Sequence, residues 1–232
     1  MNGRLAAAAL LLSAALPPST AGAQTNEAEP APSTEPAPDT AGIQRDTAYF
    51  VAYQFAAVGL ISLWPQSETH YSKEIGFDRW YYNVTHPHWD SDRAVVNYVL
   101  HPYWGAGYYT RARERGLGRG NAFWYSALLS TIFEYGAEAM VEQVSYQDLI
   151  VTPVLGSLLG EYVFTPLRQR VRAKDGPLDG WDRLTLILTD PLGSINEAVD
   201  ASLGIQSQLT LAPQWAAPAR HPGWGLQWRI VW

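Results

Sequence analysis

Between residues 120 and 167 lie five acids, Glu134, Glu138, Glu142, Asp148 and Glu161, and not one Lys or Arg. The rest of the stretch is mostly Leu, Ile, Val, Ala, Gly and aromatic residues. Carboxylates on apolar helices are costly unless something pairs, protonates or ligates them. No cation of the same stretch can do so. Their partners must come from another segment, and His101 is the leading candidate.

Four apolar segments are each long enough for a helix of about five turns. They are residues 47–64, closed by Pro65, then 94–110, 121–143 and 146–167. Residues 66–93 read as a polar, aromatic loop. Residues 178–189 and 194–202 read as short helices, with Asp179 capping the first and Pro191 separating the two. Residues 203–211 and 225–232 alternate like strands. The expected fold is all-α. A compact bundle of about four main apolar helices plus short C-terminal helices occupies residues 46–202, and a small β-hairpin-like tail covers 203–232.

Arg4, the apolar run 5–16 and Ala21-Gly22-Ala23 have the form of a signal peptide over residues 1–23, cleaved before Gln24. Residues 24–45, rich in Pro and acids, read as an extended, disordered linker. The chain has no cysteine, which excludes disulfides, thiolate metal sites, Cys nucleophiles and a lipid-modified Cys. A net charge of −6 argues against nucleic acid as partner. Ten Trp and thirteen Tyr suit a surface that is part wet and part apolar.

Charge gives the helices a common orientation. Arg45 precedes the first segment, Arg111, Arg113, Arg115 and Arg119 follow the second, and Arg168, Arg170, Arg172 and Lys174 follow the fourth. In an up-and-down bundle all of these lie at one end. Glu68, Glu74, Asp78, Asp90, Asp92, Glu142 and Asp148 lie mostly at the other. Matching of cations to helix C-termini accounts for two of the clusters but not for their shared side.

The same map sets Asn97, His101, Glu134, Glu138, Asp148 and Thr152 at one depth, within about 12 Å of the acidic end at ~1.5 Å per residue. Glu161 falls near the opposite end. Residues four apart share a helix face. Asn97 and His101 form one such pair, and Glu134 and Glu138 continue a stripe from Ser126 and Ser130. Asp148 and Thr152 continue into Gly156 and Gly160, a small-residue stripe that lets another helix approach. Pro102 disfavours helix at His101, and a kink there frees a carbonyl and can aim the imidazole inward. His101 is expected to contact Glu134 or Glu138, with Asp148 level with it. A neighbouring carboxylate would raise the imidazole pKa above about 6.5, and burial would lower it.

Plainer readings compete with this one. Ser145-x-x-Asp148 has the spacing of a capping box. Glu134, Glu138 and Glu142 could form a solvated face, although such faces normally mix in Lys or Arg. His101 alone would be a satisfied core histidine. His86, His88 and Asp90 offer a surface constellation of unspecific spacing, so no metal site and no cofactor is assigned.

Asp90-Ser-Asp92, Asn97-Tyr-Val-Leu-His101-Pro-Tyr-Trp-Gly105, Tyr108-Tyr109-x-x-Ala112-Arg113, Glu134-Tyr-Gly-Ala-Glu138 and Ser145 to Glu161 resemble an uncharacterised bacterial family, domain of unknown function 3943. The order of motifs is also similar to VanZ-like membrane proteins, which show an Asp-x-x-x-His helix, a Glu helix and an Asp-x-x-x-Asn helix with glycines. Here Asn97 stands for the first Asp, and Thr152-Pro153 stands where their Asn lies. Both resemblances imply a helical, membrane-associated bundle of the cell envelope.

A cleaved leader places the Arg clusters outside the cytoplasm, against the positive-inside rule for an inner-membrane protein. The helices are also interrupted by acids. The expected location is the periplasmic side of the envelope, associated with the outer membrane, with the Arg end near anionic headgroups. The alternating tail ending at Trp232 resembles the terminus of outer-membrane β-proteins, but two or three strands are too few for a barrel. Two functions are expected. The first is a structural or accessory envelope protein whose polar cluster locks helix packing. The second is an enzyme or binder acting on a membrane lipid or envelope glycolipid. In it His101 is the acid or base, Glu134 or Glu138 its partner or a metal ligand, and Asn97, Asp148 and Thr152 bind.

Overall fold

In the computed structural model the described residues are 37–69, 71–89 and 92–204, together with the backbone of 206–214 and 223–231. The leader and most of the Pro-rich stretch lie outside them. So do Asp90 and Trp232.

Helix α1 is Thr40–Ile61. It opens at Thr40 rather than at residue 47, so residues 40–45 are helix and not linker. The physical reason is a cap and a set of distant partners. Asp39 accepts from the Gly42 N–H at 2.9 Å, and Arg45 and Asp46 are held by ion pairs instead of breaking the helix. Asp46, Phe50, Gln54 and Val58, four apart, form its buried face.

The segment read as a loop contains two helices, α2 (Gln66–Thr69) and α3 (Phe77–Thr85). Only Asn83 of α3 is buried, and its Nδ2 donates to the Ala139 carbonyl at 2.9 Å. Trp80 Nε1 donates to the Tyr135 carbonyl at 2.9 Å. Phe77, Trp80, Tyr81 and Val84 share one face of α3, but Phe77 and Tyr81 are exposed, and the polar hooks at Asn83 and Trp80 help attach the helix.

Helix α4 (His101–Glu114) is entered through a π-helical turn, Val96–Leu100. The His101 N–H reaches back to the Val96 carbonyl, five residues away. This wider turn absorbs Pro102 without breaking the helix. Helix α5 (Arg119–Ile132) runs on into a π turn, Phe133–Ala137, and a 3₁₀ turn, Glu138–Met140. Helix α6 (Tyr146–Leu159) passes through a third π turn, Gly160–Phe164, into α7 (Thr165–Arg172). That turn again precedes a proline, Pro166.

Helix α8 is Gly180–Thr189, and Asp179 and Asp182 form a reciprocal capping box at its start. Helix α9 is Pro191–Leu203. Pro191 is its first residue rather than a spacer, and Asp190 caps it through the Gly193 N–H at 2.9 Å. Strands β1 (Gln206–Gln214) and β2 (Gly223–Val231) pair antiparallel, with Gln206 opposite Val231, and β1 runs beside α1.

Helices α4 and α6 lie side by side and parallel, with backbones nearly touching. A Cβ on Gly105 would stand 2.0 Å from the Thr152 carbonyl oxygen, and one on Gly156 would stand 2.6 Å from the Gly105 carbonyl carbon. Helix α5 runs antiparallel to both, and Ser126 Oγ donates to the Gly105 carbonyl at 2.9 Å. Phe50, Tyr108, Tyr109, Tyr125, Leu129 and Leu192 form the main core between α1, α4, α5 and α9. The domain is an all-α bundle with a two-stranded tail.

Candidate functional site

The close α4–α6 crossing decides what meets what. His101 is one turn before Gly105 on α4, and Asp148 is one turn before Thr152 on α6. Parallel helices in this register bring the two to the same level. Glu134 enters from the antiparallel α5 side, inside the second π turn. Ligand atoms of His101, Glu134 and Asp148 all lie within 4.8 Å of one another. Glu134 and Asp148 are buried, and His101 is half-buried with its ring edge-on to Phe133, centroids 6.3 Å apart. Two of the bundle's π turns therefore sit at this cluster. Such turns cluster at functional sites because they re-aim side chains.

The capping reading of Asp148 fails on one half of its box. The Asp148 N–H does donate to Ser145 Oγ at 3.1 Å, so Ser145 is the cap. The return bond is missing: the Ser145 N–H donates to Glu134 Oε2 at 3.0 Å instead. Glu134 thus completes the cap from another helix, which leaves the Asp148 carboxylate facing His101. A parallel bridge of His88 to Ser145 also pins the chain before α4 to the start of α6.

The solvated-face reading fails as well, because Ser126, Ser130, Glu134 and Glu138 are all buried. Of the two expected partners of His101, Glu134 is in the triad, and Glu138 lines the cavity beside it. The latter lies with Tyr71, whose hydroxyl donates to Glu138 Oε1 at 2.9 Å, and with Glu134, not in the His101 triad. Burial and the adjacent Glu134 charge push the Glu138 carboxyl well above its ordinary range, and the Tyr71 hydroxyl offsets only part of this. Burial and the neighbouring carboxyl thus favour the protonated form of Glu138. Tyr71→Phe removes that donor from a buried carboxyl and should cost about 1–3 kcal/mol. Thermal melts read it, and an unchanged midpoint would mean that the bond carries no stability.

Asn97 and Thr152 are buried at the cluster, and Asn97 Oδ1 and Thr152 Oγ1 have no hydrogen-bond partner. Glu161 lies apart, as its position near the basic end requires. It accepts from the Tyr109 hydroxyl at 2.7 Å and pairs with Arg119 at 2.6 Å. Of the surface constellation, His86 is exposed and stacks on Tyr82, centroids 4.3 Å apart, and Asp90 lies outside the described residues.

Beside the cluster is a cavity of about 450 Å³. His101, Thr152, Glu138, Tyr71, Asp92 and Arg93 contribute polar lining. Phe50, Ala57, Trp104, Tyr108, Leu192 and Ile195 contribute a larger apolar part. Tyr108 is two turns beyond His101 along α4, so apolar wall extends ~10 Å past the imidazole's level. The volume is that of a small-molecule site. Tyr71 and Arg93 escaped the sequence reading because they sit in its aromatic loop, and Asp92 was noted only as one of the acids at that end of the bundle and in the Asp90-Ser-Asp92 motif.

A second buried centre was also missed. Asp46, fully buried, accepts from Arg111 Nε at 2.7 Å, Arg115 Nε at 2.8 Å, Arg45 Nη2 at 3.0 Å and Asn196 Nδ2 at 2.9 Å. Arg111 and Arg168 also reach Asp190, at 3.2 and 3.6 Å. Arg168 and Arg172 pair with Glu114. The basic end expected to face headgroups is thus largely committed to internal ion pairs.

No curated protein and no solved structure matches the chain. Residues 86–192 match the sequence profile of a family described as a domain of unknown function, DUF3943. That span carries His101, Glu134 and Asp148, the α4–α6 crossing and the start of α9, so the part of the chain that holds the cluster is similar to the DUF3943 family.

Proposed function

We propose that this chain is an exported, membrane-associated protein of the cell envelope that holds an amphipathic lipid or glycolipid in the cavity beside His101. The cavity carries this reading: its wall is mainly apolar and its polar groups gather at the level of the cluster. An acyl or prenyl chain suits the apolar part, and a polar head suits the groups around His101, Glu138 and Arg93. Glu138 and His101 both line the cavity, where they could act as acid and base on such a head. Exposed Trp124 and Leu128 on α5, with Ile150, Val154 and Leu158 on α6, support membrane contact. So does the apolar helix Tyr146–Arg172, with mean hydropathy 1.3 in its best window.

The structural or accessory reading draws on the Asp46 network, which locks α1, α4 and α9 with no ligand needed. Mass spectrometry of lipid bound to the chain, extracted in mild detergent, separates the two. Ala57 lines the cavity yet is exposed, so Ala57→Trp fills space without disturbing the core. Lipid should accompany the wild type and fall at least tenfold in Ala57→Trp at an unchanged melting midpoint. If no lipid accompanies the wild type, the accessory reading stands. The mature chain should also sediment with the outer-membrane fraction. Recovery as a freely soluble periplasmic protein at low salt would overturn the membrane reading altogether.

A further inference from the structure

We infer that His101, Glu134 and Asp148 form a binding site for one divalent cation of the Mn²⁺ or Zn²⁺ type, at the wall of the cavity. The inference holds whatever molecule fills the cavity. Its first ground is donor geometry. One ligand atom from each residue lies within 4.8 Å of the other two. Ligand atoms of a tetrahedral Zn²⁺ stand ~3.4 Å apart at bond lengths of ~2.0–2.1 Å. Rotamer adjustments of little over an ångström therefore close the three onto an ion.

The second ground is independent of the triad. Thr152 Oγ1 and Asn97 Oδ1 are buried oxygens with no hydrogen-bond partner. Buried oxygens are normally satisfied, and an unexplained one signals a missing water or ion. Thr152 is one turn beyond Asp148 on α6 and lines the cavity together with His101. Asn97 is one turn before His101, in the π turn. Two oxygen donors thus flank the three ligands, directly or through a water.

The third ground is charge and donor type. The triad offers two carboxylates and one imidazole, a donor set that suits a doubly charged ion. Imidazole suits Zn²⁺ and Fe²⁺, and carboxylate, amide and hydroxyl oxygens suit Mn²⁺, so the mixed set selects a first-row ion over Mg²⁺ or Ca²⁺. The supporting bonds are of the kind that orient ligands. The Ser145 N–H fixes one oxygen of Glu134, and Ser145 Oγ holds the backbone of Asp148. His101 and Thr152 both face the cavity, so the ion's remaining positions are open to an oxygen of a bound molecule.

The test uses the full mature chain, purified in detergent and stripped with a chelator, titrated calorimetrically with Zn²⁺ and separately with Mn²⁺. One equivalent of at least one ion should bind at micromolar or tighter affinity and raise the melting midpoint. Glu134→Gln and Asp148→Asn keep shape and hydrogen-bonding capacity. Each should weaken binding at least 100-fold and abolish the metal-induced rise in midpoint. Thr152→Val should weaken it about tenfold. Glu161→Gln, at the far end of the bundle, should bind as the wild type does. If the stripped wild type binds neither ion below millimolar concentration, the inference is wrong. It is equally wrong if Glu134→Gln and Asp148→Asn bind like the wild type. Lipid content measured on the same samples keeps this outcome separate from the fate of the lipid reading.

Discussion

Asp46→Ala should destabilise the bundle by about 3–5 kcal/mol, the cost of breaking a buried ion pair by removing one partner. That is a large share of the ~5–15 kcal/mol that holds a typical domain together. Arg111 is buried, and its Nε loses a 2.7 Å partner. Arg115 keeps only the half-exposed Asp39, and Asn196 Nδ2 loses its acceptor. Replacement by Asn keeps the shape but not the charge, and falls between the two. The same network sets a pH dependence. Burial alone would raise the Asp46 pKa, but hydrogen bonds from Arg115 and the Arg111 charge outweigh it and hold it below its ordinary 3.8. A carboxyl lowered in the folded state stabilises above its unfolded value and loses that contribution as pH falls through the folded one. Wild-type melting midpoints should therefore drop below about pH 4, and Asp46→Asn should flatten that limb. A variant that melts like the wild type at neutral pH would show that the ion pairs are solvated and weak.

The shared depth of the polar residues was legible because it needs only a helical rise and alternating helix direction. Once α4, α5 and α6 alternate, His101, Glu134 and Asp148 must be level, and the small-residue stripe ending in Gly156 and Gly160 names the face where α6 is approached. What depends on local winding was not legible. The π turns at Val96–Leu100 and Phe133–Ala137 shift side chains by a fraction of a turn, so spacing alone could not choose between Glu134 and Glu138 as the partner of His101. The return half of the Ser145 cap comes from Glu134 on another helix, which no local spacing can reveal. Asp46 was illegible for a related reason. Its partners Arg111 and Asn196 are 65 and 150 residues away, and beside Arg45 it reads as an ordinary charged pair at a helix start. Helix α3 was missed although Phe77, Trp80, Tyr81 and Val84 share one helix face, because the stripe is only nine residues long and sits in a segment read as a polar, aromatic loop.

The other large effect is steric. Gly105→Ala and Gly156→Ala should each cost about 3 kcal/mol or more, at the upper end of what overpacking does. In both cases the new methyl meets backbone, not a side chain that could rotate away: the Thr152 carbonyl oxygen at 2.0 Å and the Gly105 carbonyl carbon at 2.6 Å. The helices must part, and the change is felt beyond the contact. His101 and Asp148 lie one turn before the crossing on its two helices, so separation there opens the cluster. Cluster properties should therefore fail together with stability, although neither glycine carries a functional group. Gly59→Ala is the internal control. Gly59 lies inside α1, and a Cβ there meets nothing within 4 Å. It should be neutral or gain up to ~1 kcal/mol from helix propensity. Thermal melts of the three variants decide the matter. Midpoints of Gly105→Ala and Gly156→Ala at or above that of Gly59→Ala would mean that α4 and α6 do not touch through these residues. The register that brings His101 to Asp148 would then be wrong.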